Sequence, residues 1–207
     1  MRIGYARVST QEQNLDLQKD AQGMVEKDSV SLPVRSAKLF TLASIYDANK
    51  ELLGDVYDDD ATIQSMVVTA MSYWNEVAKN IPMWMKVKNG DLRAIEFRQE
   101  NISAHSVVMR ALGAVGGDLL KEFPSDWQDR LTALGNVDWS KKNRDWENVC
   151  IVANSVVSNR QARSATKAYL KHKLGLTLTE AESKSIAHAA ASEAASVAAW
   201  EADRRPA

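Results

Sequence analysis

Between Asp60 and Pro82 the apolar residues Ile63, Met66, Val67, Ala70, Met71, Trp74, Val77, Ala78 and Ile81 recur at intervals of three and four. A strand would throw these positions onto alternating faces, whereas a helix gathers them into one stripe about five turns long. The segment is therefore expected to be an amphipathic helix, charged favourably at its start by the acidic run from Asp55 to Asp60 and stopped by Pro82. A stripe carrying Met and Trp reads as core packing, with a groove for a partner as the alternative. A chain of 207 residues with only nine Gly and four Pro also lacks the turn residues that a hairpin-rich protein needs. The expected fold is mainly α, a helical bundle-like domain preceded by a short N-terminal strand-helix fragment.

Other stretches repeat the pattern. Leu39, Leu42, Ala43, Tyr46 and Leu53 are expected on the buried face of a helix ended by Gly54, after a break at Ser31-Leu32-Pro33. Met83, Trp84, Met85 and Val87 form a short apolar patch before the turn signal Asn89-Gly90. Ile102, Val108, Met109, Leu112, Val115 and Leu119 make a further stripe, with His105 along it as a hydrogen-bonded core or boundary residue. Gly113, Gly116 and Gly117 follow no strand, so they mark close packing or a local break and not a phosphate loop. Thr179 and Glu182 form a capping box that starts a last, Ala-rich helix with Val197 and Trp200 as its only large apolar residues. That tail is lightly anchored and free to fray or self-associate.

Composition narrows the function. A formal net charge of -1 gives no global attraction for polyanions, so nucleic-acid contact needs a local basic patch. Cys150 has no cysteine to pair with and reads as a small core residue, and no run approaches the roughly 18 apolar residues that span a bilayer. A cytoplasmic location without membrane contact follows as the expectation. His105, His172 and His188 form no i, i+4 pair, so neither a metal nor another cofactor is expected.

At the N-terminus, Arg2 to Ser9 alternates like a strand, and Ser9 or Thr10 is placed to cap a helix bearing Leu15 and Leu17. The run YARVSTQEQNLDLQ, Tyr5 to Gln18, resembles the N-terminus of serine recombinases of the resolvase/invertase family. The resemblance implies that Ser9 attacks a DNA phosphate and that Arg7 stabilises its charge. The further arginines and acidic residue of that family's catalytic constellation have no counterpart downstream. Ser9 therefore reads as an N-cap, and catalysis is not expected.

The body carries a second resemblance. The blocks SLPVRSAKLFTLASIYDANKELLG, NIPMWMKVKNGDLRAIEFRQENISAHSVVMRALG, NVDWSKKNRDWENVC and NRQARSATKAYLKHKLGLTLTEAE occur in the order found in the C-terminal half of the DndB family. That resemblance implies association with DNA phosphorothioation, as a DNA-binding transcriptional regulator and not as a sulfur-transfer enzyme. The Asp-Gly-Gln-His-Arg signature of the family's N-terminal half is absent here, with the recombinase-like piece in its place and a junction expected between Gln18 and Val25. The expected organisation is a recombinase-like fragment over 1–22, a DndB-like helical domain over 25–182 and an Ala-rich tail over 183–207.

The place for DNA is a basic segment. Lys141 to Lys173 holds eight Lys or Arg against Asp145 and Glu147. Arg160, Arg163, Lys167 and Lys171 are spaced to lie along one face of a helix starting near Ser158, with Ala162, Ala165, Tyr169 and Leu174 packed behind. Such a ridge suits a phosphate backbone, giving position without sequence choice. Its alternative is a solvated face, or one paired with the acidic run Asp47, Glu51, Asp55, Asp58, Asp59 and Asp60. Trp139 and Trp146 anchor a loop, with stacking on unpaired bases as the alternative. The functional expectation is a DNA-binding regulator; the alternatives are a protein-interaction or structural remnant of a rearranged gene, in contact with other DNA-modification proteins or itself, and a resolvase-type recombinase.

Overall fold

Helices dominate the residues that the computed structural model describes, 24–29, 31–33, 35–54 and 60–187. In chain order these contain β1 (Val25–Glu26), β2 (Phe40–Thr41), α1 (Leu42–Leu53), α2 (Asp60–Asn80), α3 (Pro82–Lys88), α4 (Ala94–Glu100), α5 (Ser106–Glu122) and α6 (Trp127–Leu131). Two 3-10 turns (Thr132–Asn136 and Arg144–Trp146), β3 (Ile151–Val152), β4 (Ser155–Val156) and α7 (Arg160–Lys173) complete the order. β1 and β2 pair in parallel, Val25 opposite Phe40, while β3 and β4 form a small antiparallel hairpin. The N-terminal strand-helix fragment, Arg7, Ser9 and the tail beyond 187 lie outside the described residues.

The organising helix is α5, where Val107, Val108, Met109, Ala111, Leu112, Val115 and Leu119 are all buried. From Val107 to Leu119 only a narrow stripe through Arg110, Ala114 and Asp118 is half-exposed, and α5 otherwise lies inside, running between α1 on one side and α7 on the other. Its glycines decide how near α1 can come. A Cβ on Gly113 would sit less than 3.0 Å from the backbone of Ala48, and one on Gly117 would lie 3.0 Å from the carbonyl oxygens of Glu51 and Leu52. A Cβ on Gly116 would meet the Tyr73 ring at 2.5 Å. The three absent side chains thus form a notch that seats the α1 backbone and the ring of Tyr73, whose hydroxyl donates to the Leu112 carbonyl at 2.6 Å.

The notch selects small residues on α1. Ser44, Ala48 and Leu52 are buried there, whereas Leu42 and Tyr46 are exposed, Tyr46 by 58%. This corrects the face expected from sequence in part: Leu39 is buried and Leu53 packs on the core as expected, but Leu42, Ala43 and Tyr46 point outward, and Ser44, Ala48 and Leu52 face the notch instead. Thr41 caps α1 by accepting the Ser44 N–H at 3.1 Å, and Gly54, at φ +80°, closes its end. The stripe on α2 also differs from expectation. Tyr73, Val77 and Ile81 are buried, while Ile63, Met66, Val67, Ala70 and Met71 are half-buried, with Ala70 packed on the core. Pro82 ends α2 and also opens α3 as its first residue, where a missing N–H costs nothing.

Smaller contacts fasten the loops. The Arg98 guanidinium donates to the carbonyls of Lys38 and Pro33, and Lys141 Nζ donates to the Arg98 carbonyl at 2.7 Å. His105 Nε2 lies 3.3 Å from the same carbonyl. Burial, reinforced by the positive charge of Lys141, pushes His105 down to about 4.

Two expectations follow from this architecture. Gly113→Ala drives a methyl group into the α1 backbone and is expected to cost about 1–3 kcal/mol in urea unfolding. Gly135→Ala, whose Cβ would find its nearest neighbour at 3.9 Å, is expected to stay within about 0.5 kcal/mol of the parent. As pH falls from the usual histidine value of 6.5 towards 4, the unfolded chain takes up a proton before folded His105 does. Stability is therefore expected to fall through that window, and a His105→Gln variant should show a shallower fall in pH-dependent melts.

Candidate nucleic-acid interface

The basic ridge is set out by α7. Asn159 caps the helix, its side-chain oxygen accepting the Ala162 N–H at 2.8 Å, and Ala162, Ala165, Tyr169 and Leu174 are buried behind it. Along the opposite side Arg160 is exposed, Arg163 and Lys167 are half-buried, and Lys171 is buried. The four cations therefore share a line but not an environment.

The ridge divides after Arg163. Lys167 Nζ lies 2.8 Å from Asp118 and 3.5 Å from Glu182, and Lys171 Nζ lies 3.2 Å from Asp118 and 2.9 Å from Glu182. Two cations and two carboxylates make a neutral square that joins α5, α7 and the helical segment 180–187. Glu182 also accepts the Thr179 N–H at 2.9 Å while its own N–H donates to the Thr179 hydroxyl at 3.2 Å, the reciprocal pattern of a capping box. Burial pushes the Glu182 carboxyl up, but the Thr179 N–H and Lys171 outweigh it and leave the group below its usual value. Burial likewise pulls Lys171 down, and Glu182 with Asp118 more than restores it, so both groups stay charged.

The other basic residues divide in the same way. Lys173 pairs with Asp145 at 3.4 Å, Lys142 pairs with Glu100 at 3.5 Å, and Lys141 is held by the Arg98 carbonyl. Arg144, Arg160 and Arg163 have no carboxylate partner among the described residues. Asp47, from the acidic run considered as a partner for the ridge, is instead bonded to Arg110. Residues 55–59 lie outside the described residues.

Beside the ridge, Trp139 and Trp146 stack with ring centroids 5.7 Å apart, and Trp146 meets Tyr169 at 4.5 Å. Both tryptophans are buried, so their rings pack the loop onto α7 and offer no face to a base. The Tyr169 hydroxyl donates to Asp145 at 2.7 Å, and this bond chiefly holds the carboxyl below its usual range. Cys150 is buried, which pushes its thiol up to about 11 and keeps it protonated at neutral pH. Away from α7, a cleft of about 440 Å³ opens between the end of α2, α4 and the loop 134–140, with Met83, Phe97, Leu134 and Trp139 in its walls and Glu96, Glu100 and Asp138 among its polar groups.

Sequence spacing brought out the ridge but missed Asp118 and Glu182 as partners of its lysines. Asp118 had one available sign, a lone carboxylate in the otherwise uncharged run Ala111 to Leu120. Nothing in the spacing showed that this run would pass beside α7.

The fold and site define a mainly helical protein with a structural ion square on its central helices and two open arginines at one helix start; no described helix is long and apolar enough to cross a membrane. The DndB family, described as DNA-sulfur modification-associated, matches residues 11–177, and the chain belongs to that family. No curated protein and no solved structure matches it. The family match enters the recombinase-like run at residue 11, so it lends no support to a recombinase fragment ending near residue 22. Arg7 and Ser9 precede the match.

Truncating Glu182 to Ala leaves Lys171 buried with Asp118 as its remaining ionic partner. The expected cost is roughly 3 kcal/mol, the low end for a broken buried pair. The square's contribution should be full above pH 4.5 and lost as pH falls through the lowered pKa of Glu182; at the alkaline end it should be lost as pH rises beyond 10.5, through the raised pKa of Lys171. Urea melts across pH, with Glu182→Ala beside the parent, measure both effects.

Proposed function

We propose that this DndB-family chain is a DNA-contacting regulator associated with DNA sulfur modification, and that it meets the phosphate backbone through Arg160 and Arg163. The observation that carries the reading is their position. They occupy the first turn of α7, where no acidic residue is present, where the helix dipole is positive, and where no described carboxylate neutralises them. Lys167 and Lys171 serve a different purpose on this reading, holding the helix in place so that the arginines present a fixed pair of cations. The contact supplies register and affinity without base choice.

The chemistry sets the test. Fluorescence anisotropy with unmodified and phosphorothioated duplexes is expected to show binding that weakens steeply with salt, since each phosphate contact releases counterions. Arg160→Ala with Arg163→Ala should weaken binding to every sequence and lower the salt slope by about two. Lys167→Ala should act mainly on the melting temperature.

A second reading, an interaction domain for other proteins of the modification system, draws on the internal pairing of Lys167 and Lys171. That pairing leaves a small basic surface. Failure to bind any duplex at low salt would decide for this alternative.

A further inference from the structure

We infer that the cleft between the end of α2, α4 and the loop 134–140 receives a segment of a partner protein in which a large apolar side chain is flanked by Lys or Arg. The cleft holds about 440 Å³, within the range of roughly 300–1,000 Å³ usual for ligand clefts. Ile81, Met83, Leu92, Phe97, Leu134 and Trp139 make its walls apolar. Its charge is of one sign: Glu96, Glu100 and Asp138 line it, and no Lys, Arg or His does. Glu96 and Glu100 lie four residues apart on one face of α4, and Asp138 comes from the loop.

The walls are held in place by the chain itself. The Ile102 N–H donates to the Trp139 carbonyl at 2.9 Å and the Lys141 N–H to the Glu100 carbonyl at 2.8 Å, which ties the loop to the end of α4. Trp139 Nε1 donates to the Leu134 carbonyl at 3.3 Å and fixes the indole. Gly135 adds no side chain to the wall: a Cβ there would find its nearest neighbour, the Asn80 carbonyl oxygen, at 3.9 Å. The cleft is thus formed before anything enters it.

Charge selects the occupant. A phosphate-bearing partner meets three carboxylates here, which separates the cleft from Arg160 and Arg163. A wholly apolar partner would strip water from those carboxylates and return no counter-charge. Arg93 and Lys142 already reach Glu96 and Glu100, but they are 76% and 85% exposed, and ion pairs so exposed are weak enough for an incoming cation to replace them. Asp138 has no cationic partner among the described residues. A small organic amine carries one charge, whereas carboxylates on both α4 and the loop suit cations on either side of an apolar anchor.

The isotope-labelled full chain, titrated at low salt with the blocked tetrapeptide lysine-tryptophan-leucine-lysine to millimolar concentration, is expected to show saturable shifts at the amides of Glu96 to Asn101 and Leu134 to Ser140. The same peptide with glutamate in place of both lysines should leave them unmoved. Glu100→Gln with Asp138→Asn should weaken binding about fivefold without moving the melting temperature, because both side chains are exposed and Asn keeps an acceptor for the Ser140 N–H. Gly135→Met, which puts a side chain into the wall, should weaken it as well. Absence of saturable shifts, or equal binding of the glutamate peptide, overturns the inference. Tryptamine binding as tightly as the tetrapeptide overturns it in favour of a small amine, and self-association of the chain abolished by Glu100→Gln with Asp138→Asn overturns it in favour of a second copy. No nucleic acid enters the experiment, so its failure leaves the DNA reading untouched.

Discussion

The closeness of α1 to α5 is the constraint from which the other contacts follow, and three missing side chains set it. With Gly113, Gly116 and Gly117 facing Ala48, Tyr73 and the carbonyls of Glu51 and Leu52, the two helices approach to backbone contact. That approach brings Tyr73 against Leu112 and turns the small residues of α1 inward. It also leaves the opposite flank of α5 open for α7. Asp118 sits on that flank, so the notch and the ion square belong to one arrangement: α5 is gripped by apolar contact on one side and by Lys167 and Lys171 on the other. The helix tolerates glycine because its surroundings, more than intrinsic propensity, hold it in shape.

Local signals in the sequence carried well into the structure. The α5 stripe, the start of α7 near Ser158 and the Thr179–Glu182 box each depend on residues a few positions apart, and each appears where spacing places it. Facing was harder to read. On α1 the largest apolar residues suggested a buried side through Leu42 and Tyr46, but the partner surface was a glycine notch that takes the face of Ser44, Ala48 and Leu52. On α2 the stripe is continuous in sequence, whereas its cover is graded, complete at Tyr73, Val77 and Ile81 and partial from Ile63 to Met71. Periodicity tells a helix which side is apolar; it carries no information on how far the neighbouring surface extends.

The candidate site shows the same division. Four cations in one line suggested a single binding ridge, and the line itself is real. Yet Lys167 and Lys171 meet carboxylates from distant parts of the chain, and these tertiary partners leave no trace in local spacing. What remains outward is Arg160 and Arg163 at a helix start, a small cationic feature whose position is fixed by the ion square behind it. Folding and proposed DNA contact thus draw on different halves of one charge pattern.

Chemical-shift mapping of the isotope-labelled chain during titration with duplex DNA at low salt tests this division most directly. The account predicts perturbations concentrated on Asn159 to Ser164, with the amides of Lys171 and Glu182 unmoved. Perturbations centred on Lys171 and Glu182, or none around Arg160 and Arg163, would contradict it.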